Sequence, residues 1–460
     1  MSFDKNQFEG ILKDFTIDSD ELKTIAADFR YDLKKGLKDP AESSLKMLKS
    51  YIGLPTRQEK GEYLALDFGG TNVRVLLIRL EGDGKFEVLR KVAKPLVVPG
   101  SYNYIAADAT AEQMFDFIAG LVEEAVEGDH AKQYFLGHTF SFPSSQTNLY
   151  NAKLITWTKE FATPGVEGEV VNDLLKAALH RKGLDNVEPT AVINDTVAVQ
   201  LAAAYKHDNV NIGCIYATGH NTCYLEPFAD KAEQPMILNL ESGGFNRLAP
   251  GRFDVALDER SEKPGEQRLE KMVSGRYMGE LFGMALAELL GEDGKEYGFT
   301  SIDMSAIMED ESEDCAAIRA LVAKKTGRDI AAADASLVQD LVLRIVNRSA
   351  RLVAASFVGI LWQLEGEGIE QPQTIAVDGS VYEKMPHAKE NLEKGLSELL
   401  GADAAKVETV LENGGPRRRH RGSGEPELSC AAERRTTWET RMTSGAAMNG
   451  AERGQRHFHK

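Results

Sequence analysis

Only four cysteines occur in 460 residues (Cys214, Cys223, Cys315 and Cys430), and none forms a C-x-x-C pair. That scarcity and spacing exclude a disulfide framework and a zinc site and fit a reducing, cytoplasmic setting. No uninterrupted apolar run approaches the ~20 residues of a membrane-spanning helix. The opening MSFDKNQFEG has neither a signal h-region nor transit-peptide character. Positive charge is in short supply. With 54 Lys and Arg against 71 Asp and Glu, the net charge of -17 argues against nucleic acid or an anionic membrane as the main partner. A G-x-x-x-x-G-K-[ST] loop is also missing, which argues against a P-loop NTPase.

What is present is chemistry at strand ends. A chain that is 42% hydrophobic over 460 residues can bury a sizeable core and is expected to split into two lobes. Ala191, Val192 and Ile193 form a β-branched run that stops at Asn194-Asp195-Thr196, after which Val197, Leu201 and Ala204 recur at helical spacing. A carboxylate is thereby left at the carboxyl end of a buried strand, where open α/β sheets bind ligands, well placed to accept a proton from an alcohol. By itself N-D-T is also an ordinary helix cap. The next strand, 211–216, enters Ala217-Thr218-Gly219-His220-Asn221 and returns as 222–226. That small-residue turn can offer N–H groups and a hydroxyl to phosphate oxygens.

Upstream, Asp18 to Glu21 reads D-x-x-E before an amphipathic helix, and a second helix is expected over roughly Ala41 to Tyr51. At 63–78 two strand-like runs flank D-F-G-G-T-N, a hairpin on the plain reading. Its buried acid could reach a metal-bound water, and its glycines let phosphate approach the main chain. A helix is expected near Ala111 to Glu124. T-F-S-F-P follows at 139–143, W-T-K at 157–159, I-N-D-T at 193–196, A-T-G-x-N-x-C-Y-x-E at 217–226, N-L-E-S-G at 239–243 and P-G-E-Q-x-x-E-K at 264–271.

In this order the motifs resemble hexokinase, of the eukaryotic type also found in some bacteria, over roughly Ala41 to Leu411. The resemblance implies an α/β chain with the two-lobed actin-like ATPase (ribonuclease H-like) fold and a cleft between a small and a large lobe. Residues 1–60 would pack as helices on the large lobe, 61–193 would form the small lobe and 194–414 the large lobe. It implies ATP-dependent phosphorylation of a hexose, glucose above all, at the 6-hydroxyl, giving hexose 6-phosphate and ADP for glycolysis. Asp195 would be the general base, with Lys159 near the transferred phosphoryl. Ser141, Thr158, Lys159, Asn194, Asn221, Glu241 and Glu270 would hold the sugar. Asp67, Gly69, Gly70, Thr71, Asn72, Arg74, Thr218 and Gly219 would surround the phosphates of ATP and their Mg2+, with Asp67 reaching the metal through a water and no direct protein ligand. Asp378, Gly379 and Ser380 would meet the adenosine. The residue types suit the task independently: carboxylates and amides pair efficiently with neighbouring hydroxyls, each both donor and acceptor.

The chain departs from the pattern in four places. Ala217 stands where a glycine is usual, so strain is expected if that position needs a positive φ. Glu160 replaces the glycine of W-T-K-G-F. Ser242 replaces the tryptophan of N-x-E-W-G, removing a large packing surface beside a sugar ligand. From Pro416 to Lys460 there are nine arginines and one lysine against five glutamates, a local net of +5 against -22 for the rest, and no valine or isoleucine. CGN arginine codons read one base later give Gly, Ala, Val or Asp before a following C. A frameshift from about Gly415 would therefore convert an alanine-rich helix into this basic segment 415–460, expected to be disordered. A hexose sensor with little catalysis is the alternative function. A generic ATPase of the same superfold is disfavoured by the W-T-K and N-D-T sugar set, and the sequence does not specify an oligomeric state.

Overall fold

The computed structural model describes residues 3–70, 72–158, 160–228 and 233–412, so the basic segment, with the frameshift and disorder expected of it, lies outside the described residues. Two compact units emerge. The described part of one lies within Met1–Leu48, Cys214–Cys223 and Leu240–Leu411; that of the other lies within Lys49–Gly213 and Tyr224–Asn239, with Glu412. These bounds differ from the expected lobes. The segment 194–213 groups with the strands that precede it, and the hairpin 210–226 contributes its tip to one unit and its flanks to the other. Among the described residues no helix is long and apolar enough to cross a membrane.

The second unit is built on a five-stranded sheet in the order Val187–Ile193, Tyr134–Phe140, Lys60–Phe68, Asn72–Gly82, Lys85–Pro95. The first three strands are parallel and the last two antiparallel to their neighbours. In register, Asp67 lies opposite Thr139 and Thr139 opposite Ile193. All three parallel strands therefore end at one level, and their carboxyl ends deliver Gly69, Ser141 and Asn194 to the same edge. Helices Ala111–Ala125 and Val171–Arg181 supply the apolar faces, Met114, Phe115, Ile118, Leu175 and Leu179 among them, that seal one side of the sheet. The first of these helices carries a reciprocal cap between Thr110 and Gln113, which explains its sharp start.

In the first unit the helix Ser19–Lys38 begins where Asp18 accepts from the Glu21 amide, as the D-x-x-E pattern requires. It packs on the long helix Ala332–Glu365. There Gly359 lets the backbones close, since an added Cβ would meet the Ala26 carbonyl at 2.8 Å. Of the arginines on the long helix, Arg348 is buried and paired through both guanidinium nitrogens with Asp254, at 2.7 and 2.8 Å. In the same unit the strand Gln373–Asp378 runs parallel beside Val407–Leu411.

The helix expected over 41–51 does not form. Only a turn of 3-10 helix, Pro40–Glu42, precedes the short strand Leu48–Lys49. The Ser43 hydroxyl donates to the Asp32 carbonyl and the Ser44 amide to the Asp32 carboxylate, while Met47 and Tyr51 adopt φ of 51° and 59°. Serine bonds to a neighbouring helix have displaced the local helical alternative.

Candidate active site

Each unit carries its own set of the candidate residues. In the unit of the five-stranded sheet, Asp67 is buried at the end of its strand and accepts from Arg74 at 2.8 Å, its antiparallel partner in register. Gly69 is glycine for lack of room: a Cβ there would stand 2.8 Å from the Ser141 hydroxyl, whereas Gly70 faces open space. Asn72, the first residue of the next strand, is exposed.

The third strand end turns directly into the helix Asp195–Lys206. Asn194 is its cap: its side-chain oxygen accepts from the Thr196 amide at 2.9 Å and from the Thr196 hydroxyl at 2.6 Å. Asp195 is the first helical residue and is half-buried. The helix is buried on all sides from Thr196 to Tyr205. Its far end is clamped as well, because the Tyr205 hydroxyl donates to the Lys85 carbonyl and accepts from the Gly82 amide. Asp195 therefore stands on a rigid support.

Trp157 of the W-T-K segment is an anchor. Its indole N–H donates to the Thr163 carbonyl at 2.8 Å, and its ring packs with Phe142 and Phe161 at 4.8 and 5.0 Å, all three rings gathered around Phe68. This cluster ties the half-buried Thr158 to the strand ends that carry Asp67 and Ser141. Lys159 and Thr71 lie outside the described residues.

In the other unit, the hairpin turn is held from behind. The Ala217 amide donates to the Gly219 carbonyl, and the Ala217 and Thr218 carbonyls accept from Gly275 and Arg276 at the start of the helix Gly275–Leu289. The His220 amide donates to Glu270 at 3.0 Å. With their carbonyl sides engaged, the Thr218 and Gly219 amides and the exposed Thr218 hydroxyl have no partner among the described residues. A turn of this kind, backed by a helix N-terminus, suits an anionic phosphate oxygen. Ala217 has no positive φ, so the strain expected from replacing glycine is absent. The close approach falls instead at Gly379, with φ of 134°, where a Cβ would meet the Tyr216 carbonyl at 2.4 Å. Asp378 and Ser380 are thereby brought beside the same turn.

On the other side of that turn, Asn221 donates to Glu241 at 3.2 Å, and Glu241 itself is left-handed, φ 50° and ψ 50°. Gly243 sits where a Cβ would approach the Gln267 amide oxygen at 2.5 Å and Glu270 Cβ at 3.0 Å, so Glu270 packs against the backbone two residues after Glu241. Burial raises the Glu270 carboxyl above its ordinary value, against the opposing pull of the His220 amide, Arg276 and Lys271. Sequence reasoning gives Gln267 of the P-G-E-Q motif no role and passes over Ser274-Gly275-Arg276; a Ser-Gly pair ahead of an apolar helical run is the signal that marks the latter.

Among the described residues no group of three or more His, Cys, Asp or Glu could hold a metal ion. The single buried carboxylate of Asp67, already paired with Arg74, suits magnesium that arrives on a nucleotide and keeps its waters.

Two family models, both described as Hexokinase, match residues 7–205 and 211–417. The chain belongs to the hexokinase family. Hexokinase-1 of Oryza sativa subsp. japonica is 35% identical over 419 residues, covering 84% of this chain and 83% of its own. Hexokinase-1 of Schizosaccharomyces pombe is 31% identical over 437 residues, covering 88% and 87%. Among solved structures, a crystal structure of a hexokinase superposes with a TM-score of 0.81 at 33% identity, covering 88% of this chain and 96% of the other. The hexokinase from Schistosoma mansoni complexed with glucose gives 0.76 at 26%, covering 97% and 99%. The fold is thus the two-lobed one of hexokinases, and the chain is a phosphotransferase of a family that moves phosphate from ATP to a hexose.

Proposed function

We propose that the protein phosphorylates glucose at its 6-hydroxyl, with Asp195 as general base. The observation that carries this reading is the position of Asp195: first residue of a rigidly clamped helix, at the sheet edge where the strands of Asp67 and Ser141 also end. In this reading Asn194, Ser141, Thr158 and Lys159 hold the sugar, as do Asn221, Glu241 and Glu270. Carboxylates and amides that each span two hydroxyls orient the ring and reject an analogue that lacks one, because a buried polar group would be left unpaired.

The Thr218 and Gly219 amides and the Thr218 hydroxyl bind phosphate oxygens, while Asp378, Gly379 and Ser380 lie toward the nucleoside. Gly69, Gly70, Thr71 and Asn72 let the phosphate chain approach the backbone. Asp67, steadied by Arg74, orients the water shell of the nucleotide's magnesium, which when bound neutralises phosphate charge. Asp195 accepts the 6-hydroxyl proton as that oxygen attacks the terminal phosphorus and ADP leaves. Phosphoryl transfer asks the protein mainly to position and neutralise, which is what these residue types can do.

The test is a coupled assay of ADP formation over a panel of hexoses, with the product position read by NMR. Glucose consumed with phosphate at carbon 6 supports the reading. Hexose binding without turnover would replace it with the sensor function.

A further inference from the structure

Ser242 stands where the family pattern carries tryptophan, and its surroundings show what does the work of the missing ring. It is fully buried. Its hydroxyl donates to the Thr222 hydroxyl at 3.1 Å, and Thr222, also fully buried, donates onward to the Cys214 sulfur at 3.9 Å. Its backbone amide donates to the Asn221 side-chain oxygen at 3.2 Å, the same oxygen that accepts from the Thr222 amide at 2.7 Å. The Asn221 side-chain nitrogen is thus turned toward Glu241. The Leu240 amide closes the arrangement on the Thr222 carbonyl at 3.0 Å.

Three features make this a positioning device. Glu241 is held in a left-handed conformation that a residue with a side chain keeps only when its neighbours impose it. Both hydroxyls are fully buried, where an unmade hydrogen bond is costly, so each fixes the other. The bond also joins the loop of Glu241 to the strand of Asn221, the two sources of the hexose clamp. A tryptophan would fix such a loop by packing area. Here two hydroxyls fix it by direction.

We propose that the Ser242–Thr222 hydroxyl pair is the positioning element that sets hexose affinity in this chain, by orienting Asn221 and Glu241. The inference rests on Glu241 being a hexose ligand, as proposed above. Neither hydroxyl is placed to touch the reacting atoms, so sugar binding changes and the chemical step does not.

The experiment compares Thr222→Val, Thr222→Ser, Ser242→Ala and the double variant Thr222→Val/Ser242→Ala, each checked for folding by circular dichroism, with glucose binding by calorimetry and steady-state kinetics. Thr222→Val and Ser242→Ala are each expected to raise the Kd and KM for glucose by roughly five- to tenfold, the worth of one buried hydrogen bond. Turnover at saturation and the KM for ATP stay at wild-type values. Thr222→Ser, which keeps the hydroxyl, binds glucose normally, and the double variant is no worse than either single one because the two act as a unit. A fall in turnover with unchanged glucose affinity, additive losses, or impairment of Thr222→Ser equal to that of Thr222→Val would overturn the inference. Should Thr222→Val fail to fold, Ser242→Ala carries the test alone. Glu241→Ala separates the two levels. If it binds glucose like wild type, the site assignment fails; if it loses glucose while Ser242→Ala does not, only the present inference fails.

Discussion

His138 offers a perturbation whose size can be worked from its surroundings. It sits in the central parallel strand opposite Leu66, with no solvent exposure, its ring stacked on Phe68 at 6.0 Å and edge-on to Phe140 at 5.4 Å. Neither ring nitrogen has a hydrogen-bond partner. Burial without a partner pushes its pKa down to about 3. Because the folded pKa lies below the unfolded value of about 6.5, the unfolded chain takes up a proton in acid that the folded chain refuses. The stability this neutral ring contributes is complete above about pH 6.5 and is lost as pH falls from there toward 3. At pH 5, about 1.5 pH units into that window, the loss is about 2 kcal/mol. His220, buried beside Cys214 and pushed to about 4, adds a similar loss at the same pH.

Replacing His138 by Phe keeps a planar ring against Phe68 and removes both the unpaired nitrogens and the titration. At pH 7 the variant should be as stable as wild type, or more stable by about 1 kcal/mol, since relief of the unpaired polar group offsets the slightly larger ring. Between pH 7 and pH 5 its advantage should grow by about 2 kcal/mol, leaving the His220 contribution in place. Urea unfolding followed by tryptophan fluorescence at the two pH values measures both quantities. Equal acid losses in variant and wild type would refute the assignment of a buried neutral imidazole at this position.

Asp195→Asn should lower glucose turnover by roughly 10²- to 10⁴-fold with glucose Kd little changed, the usual worth of a positioned base; near-normal turnover in the folded variant removes Asp195 from that role. Because burial raises the Glu270 carboxyl, it gains a proton at higher pH than an ordinary glutamate. Calorimetric glucose affinity should therefore begin to fall early as pH drops from 7, and Glu270→Gln should flatten that dependence while weakening binding throughout. Gly379→Ala forces a Cβ toward the Tyr216 carbonyl from a positive φ. It should raise the KM for ATP, leave glucose Kd unchanged and cost about 1–3 kcal/mol in unfolding experiments. Arg348→Met strands the buried Asp254 carboxylate and should cost about 3–5 kcal/mol, read by denaturation.

Much of the architecture is written locally. The cap at Asp18 and the β-branched run into Asn194 and Asp195 depend on neighbours within about one helical turn, so spacing alone reveals them. Other features have partners far along the chain. Ser43 and Ser44 abandon the helix expected over 41–51 because Asp32, a dozen residues earlier, is packed within reach. Ala217 escapes strain because the close approach falls on Gly379, some 160 residues away. Ser242 reads as a loss until Thr222 is found against it.

By itself the sequence determined residue chemistry, its order along the chain and the strand-to-helix junction that presents Asp195, because these follow from short-range hydrogen bonding and periodicity. Only the tertiary structure decided which buried hydroxyl meets which, where the Thr218 turn is braced and how Glu270 is shifted by its surroundings. Those outcomes depend on close packing between segments far apart in the chain, and no local pattern of residues encodes that packing.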